Sequence, residues 1–142
     1  MLAKLHHAEI QPIRQPEPGL PDPWRGVLNR LRVIALRCRV AAQTDLFHAC
    51  ALISTGDRAD QDIHAQALFK CLREALGRRG VFFQPGTAEV SFDEAWLMRA
   101  VIAASQDDGD SLTFLVRSRV QFNHQRQIAF LIKGIARRSS QL

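Results

Sequence analysis

From Trp24 onward the apolar positions of this chain recur at helical spacing, and no stretch alternates as a strand would. Trp24, Val27, Leu28, Leu31, Ile34, Ala35, Cys38, Ala41 and Ala42 fall on one broad face of a helix, and Leu46, Ala49, Leu52 and Ile53 continue it. The pattern predicts one long helix over about 23–54, with a break near Thr44 as the alternative. Asp22 and Pro23 suit its start, because Asp caps and Pro is tolerated at the first helical position.

A second helix is predicted over about 60–77, with Leu68, Phe69, Cys71, Leu72, Ala75 and Leu76 as its apolar side and Gly77 or Gly80 as its end. Pro85-Gly86 then marks a turn. Val81, Phe82 and Phe83 before it are too apolar for water, so this connection is expected to pack on the core. Ser91 and Glu94 have the spacing of a capping box. The helix they open, to about Gln106, is apolar on nearly all sides and should be central. Asp107–Asp110 breaks the chain, and Asp110 or Ser111 should cap a short helix over about 111–120. A last helix over about 124–137, with Asn123 as its cap, carries Ile128, Phe130, Leu131, Ile132 and Ile135. It should form a hairpin with its predecessor.

Ahead of these helices Pro12, Pro16, Pro18 and Pro21 remove backbone donors and fix φ. The predicted organisation is therefore all-α. Residues 1–22 form an extended Pro-rich arm, residues 23–138 a compact bundle of about five helices, and residues 139–142 a short polar tail. The first helix and the one over 92–106 are expected at the centre.

Composition narrows the class. A chain of 142 residues that is 46% apolar suffices for one domain with a core. No apolar run approaches the roughly 20 residues of a membrane span, and the start has no secretory h-region. Three cysteines, Cys38, Cys50 and Cys71, show no CxxC spacing. They read as small buried hydrophobes in a reduced, cytoplasmic setting. The formal net charge is +5, and all but three of the 19 Lys and Arg residues are Arg. Arginine suits carboxylate and phosphate recognition.

Catalytic and metal signatures are weak. Cys50, His64 and Cys71, with His48 nearby, match no zinc spacing. Asp107-Asp108-Gly109-Asp110 lacks the calcium-loop pattern. Gly77-Arg78-Arg79-Gly80 falls short of the phosphate-loop motifs. Ser118, His124 and Glu94 could be assembled into a catalytic set, but nothing in their spacing demands it. No cofactor, metal or catalytic residue is expected.

The most informative feature is a second apolar strip on the first helix: Val33, Leu36, Val40, Phe47 and Ala51. Arg30 and Arg37 flank one edge, and Arg25, Arg32 and Arg39, spaced by seven, flank the other. Other parts of the chain could cover this strip. The alternative is an Arg-rimmed interface for another protein chain or a second copy, and a non-enzymatic interaction or regulatory module is the leading expectation. The rival use of the arginines is nucleic-acid binding, with Arg78, Arg79, Arg137 and Arg138 extending the positive surface. A third reading is a small-ligand or enzyme cleft near Trp96, Met98, Phe82 and Phe83.

Overall fold

Five α-helices and one short 3-10 turn make up the structure, a computed structural model that describes residues 20–41 and 59–139. In chain order they are α1 (Asp22–Ala41), α2 (Ala59–Leu76), α3 (Phe92–Ser105), α4 (Gly109–Arg119), the 3-10 turn (Phe122–His124) and α5 (Gln125–Ser139). The described residues contain no strand, so the fold is all-α. None of these helices is long and apolar enough to cross a membrane. Most of the N-terminal arm, the tail beyond Ser139, the passage through Gln43–Asp45, and Phe47, His48, Cys50 and Ala51 lie outside the described residues.

The helix ends follow local chemistry. The Pro21 carbonyl accepts from the amides of Trp24 and Arg25, at 2.9 and 3.0 Å, so α1 is already helical at Asp22. Ser91 and Glu94 form the full capping box of α3: the Ser91 hydroxyl accepts from the Glu94 amide, and the Glu94 carboxylate accepts from the Ser91 amide. For α4 the cap is Asp108, whose carboxylate accepts from the Ser111 amide at 3.1 Å, in place of the expected Asp110 or Ser111. Asp107 turns the chain at φ 54° just before it, so the helix starts two residues early. Gly77 ends α2 at φ 73°, a left-handed conformation in which a Cβ would be strained.

The hub of the bundle is α5, which packs against α2, α3 and α4. The expectation that α1 and α3 form the centre is thus corrected for α1, which lies to one side and packs mainly along α2. α2 and α5 approach closely where Gly134 faces His64. Gly134 offers no side chain there, and the His64 ring occupies the space a Cβ would take. Ile128, Leu131, Ile132 and Ile135 of α5 are then buried against Leu68 and Leu72 of α2 and against Leu97, Met98 and Val101 of α3, in one continuous core. Burying a side chain of this size contributes about 1.5–3 kcal/mol. The α4 and α5 helices pack together around the 3-10 turn, as a hairpin.

Residues 77–91 connect α2 to α3 without regular structure. Phe82 packs edge-on against Phe69, with ring centroids 5.0 Å apart. The Pro85-Gly86 turn closes through the Thr87 amide and Gln84 carbonyl, and the Gly86 amide donates to Asn29 of α1. This loop lies along the side of α1 that carries the heptad arginines.

Candidate functional site

The three arginines at heptad spacing point toward the α2–α3 loop, and each meets a different end. Arg25 is half-buried and reaches the Ala88 carbonyl at 3.4 Å. Arg32 is only 2% exposed. Its Nε and Nη2 donate to the two oxygens of Glu94 at 2.6 and 3.1 Å. Nη2 also donates to the Glu89 carbonyl, and Nη1 to the Thr87 carbonyl and Asn29 Oδ1. All five N–H groups of this guanidinium are therefore used. Arg39 is exposed at the far end of α1. The expected Arg rim is corrected here: Arg32 is an internal strut, because a carboxylate and three other acceptors meet it inside the fold.

Glu94 is as fully committed as Arg32. Besides that guanidinium it accepts from the Ser91 and Phe83 amides. Burial pushes its pKa up, but the hydrogen bonds from Arg32, Ser91 and Phe83 outweigh that and hold the carboxyl below its usual range. Its neighbour Asp93, also buried, accepts from Arg78, Arg119 and the Val81 amide. Burial raises the Asp93 pKa, while the bonds from Arg78, Val81 and Arg119 bring it below the ordinary value. Arg119 also lies over the Phe92 and Trp96 rings, 4.8 and 5.4 Å from their centroids. Its Nη1 is buried without a partner among the described residues. Both acidic residues thus fasten the 77–91 loop to the helices.

The second apolar strip of α1 divides. Val33 is half-buried. Leu36 and Val40 remain 39% and 60% exposed, and Arg37 beside them is exposed. Arg30, on the same edge as Arg37, is half-buried and engaged in a contact. The structure therefore keeps Leu36, Arg37, Val40 and Arg39 at the surface and draws Arg25 and Arg32 inward.

Trp96 and Met98, where a ligand cleft was expected, line neither of the two hollows described below. Both side chains are core, 5% and 0% exposed, and the Trp96 indole donates to the Leu115 carbonyl. Phe82 does border a cleft, on the other side of the loop. This cleft, about 420 Å³, lies between α1, α2 and the loop, with Phe69, Phe82, Leu72 and Ala35 on its apolar side. Arg39, Lys70, Arg73 and Arg79 also line it. No single sequence motif carries these four cations; the only local signal is Lys70 and Arg73 at i, i+3 on α2. A second hollow of about 430 Å³, near Asp107, Asp108, Lys133 and Arg137, has mixed charge.

Several other candidate groups among the described residues have structural contacts. The His64 ring is tilted toward Phe130, with centroids 6.0 Å apart, and lies beside Gly134. No group of three His, Cys, Asp or Glu residues among the described ones could hold a metal. The Ser118 hydroxyl donates to the Leu115 carbonyl of its own helix, while Glu94 is spent on Arg32. Sequence patterning assigned Phe92 and Phe130 to apolar helix faces, yet they are 74% and 62% exposed. Phe114 and Phe122, at 72% and 85%, are exposed as well. No protein-family model, curated protein or solved structure matches this chain.

Proposed function

We propose that this protein is a non-enzymatic interaction module whose α1 surface docks an acidic segment of another protein chain. The observation that carries the reading is the juxtaposition of exposed Leu36 and Val40 with exposed Arg37 and Arg39 on the last turns of α1. Apolar side chains supply the contact, and the arginines at its edge favour an acidic partner and speed encounter. A two-fold contact between copies of this face would bring Arg37 and Arg39 of both copies into one interface, and α1 has no acidic residue beyond Asp22 to pair with them. That repulsion favours a different, acidic chain over self-association. The nucleic-acid alternative loses most of its phosphate track, because Arg32 is buried and Arg25 is tied to the loop.

Leu36→Asp with Val40→Asp tests the reading. Both sites are exposed, so the variant should keep its helical circular dichroism and melt within a few degrees of wild type, as surface changes of about 0.5 kcal/mol imply. Wild type should recover an acidic partner from nuclease-treated host extract, and the variant and Arg37→Glu should lose it. Recovery of the same proteins by all three, or loss of the fold in the double variant, would overturn the proposal.

A further inference from the structure

The cleft between α1, α2 and the 77–91 loop combines two properties that rarely meet by accident on one small surface. Four cations converge on it from three elements: Arg39 from α1, Lys70 and Arg73 from α2, and Arg79 from the loop. Among the described residues, no acidic one lines it. Its other wall is apolar, formed by the edge-to-face pair Phe69 and Phe82 with Leu72 and Ala35. Cys38 lies there too; burial pushes its thiol pKa up and Lys70 pulls the other way, so the thiol stays neutral and adds no negative charge near pH 7.

The geometry points to this cleft as a binding site for a small organic phosphate, with the phosphate among the four cations and an aromatic or similarly apolar body against Phe69 and Phe82. One carboxylate would neutralise only one of the four charges. A phosphate dianion offers more acceptor oxygens and more charge, and guanidinium groups match it through paired N–H donors. At about 420 Å³ the space exceeds what a bare phosphate needs and falls within the size range of small-ligand sites. The walls already touch each other through the two phenyl rings, so the apolar side is preformed. Leu36, Arg37 and Val40 of the α1 docking surface do not line the cleft; Arg39 is shared by the two surfaces, and the variants of the test leave it unchanged.

The test uses the full chain at low ionic strength and measures binding of naphthyl phosphate, inorganic phosphate and naphthol by calorimetry. Naphthyl phosphate should bind at least about tenfold tighter than either fragment, because charge and apolar contact are used together. Lys70→Glu with Arg73→Glu should weaken its binding at least about tenfold. Arg117→Glu with Arg126→Glu changes the net charge equally on exposed positions outside the cleft and should leave binding nearly unchanged. All four positions are exposed, and circular dichroism verifies that both variants fold. The inference is overturned by absence of naphthyl phosphate binding to wild type. It is equally overturned if inorganic phosphate binds as tightly, or if the control variant loses as much affinity as the cleft variant.

Discussion

Arg32 and Glu94, 62 residues apart in the sequence, meet as a two-pronged ion pair with side chains 1% and 0% exposed. Desolvating two charges is costly, and only a complete set of partners offsets it. Here the set is complete on both sides, which is why removing one member should be severe. Glu94→Gln leaves the Arg32 charge buried without its counterion and should lower stability by about 3–5 kcal/mol in urea unfolding. Adding Arg32→Met to that variant should restore part of the loss, because the stranded charge is then gone. A single-variant loss under about 1 kcal/mol would mean that water reaches the pair.

Asp93 and Glu94 also set the response to acid. Both have pKa values below those of ordinary carboxylates, so the unfolded chain takes up protons first as pH falls. Their stabilisation is fully present above the unfolded values, near about 4. It is lost as pH falls through the lower folded values. The melting temperature should therefore be flat in these groups from neutral pH to about pH 5 and fall steeply below about pH 4. Asp93→Asn should flatten that fall and lower the plateau, since Arg78 and Arg119 lose their shared counter-charge. An acid slope identical in wild type and variant would show that Asp93 is not a source of it.

The fold class was legible because its evidence is local. The helical spacing from Trp24, the Ser91–Glu94 box and the Gly77 stop each act within a few residues. The placement of Arg32 was not legible, since heptad spacing marks a shared face but does not say what covers it. Glu94 carried a visible local role as a cap, and that role concealed its second one. The cleft was hidden for the same reason: its cations come from separate segments and form a group only when α1, α2 and the loop pack. Leu36 and Val40, which periodicity places on a strip apart from the main face, are exposed. Whether such a strip is core depends on neighbours that periodicity cannot supply. The close approach of α5 to α2 at Gly134 was not legible either, since a residue without a side chain leaves no trace in an apolar pattern.

That glycine gives a sharp test of the helix packing. A Cβ at Gly134 would overlap the His64 ring, and α2 and α5 carry much of the core between them. Ala is the better helix former by about 1 kcal/mol, so propensity alone predicts that Gly134→Ala stabilises the protein. Steric overlap predicts the opposite, because inserting a methyl into a filled core costs about 1–3 kcal/mol. His64 Cγ, which rotation of the ring does not move, would lie 2.5 Å from that Cβ, so the overlap should win and the melting temperature should fall. In a His64→Ala background the obstruction is gone, and the same Gly134→Ala change should become neutral or stabilising. A double-mutant cycle by thermal unfolding reads the reversal of sign directly. Equal effects of Gly134→Ala in the two backgrounds would mean that α2 and α5 do not approach each other across this pair.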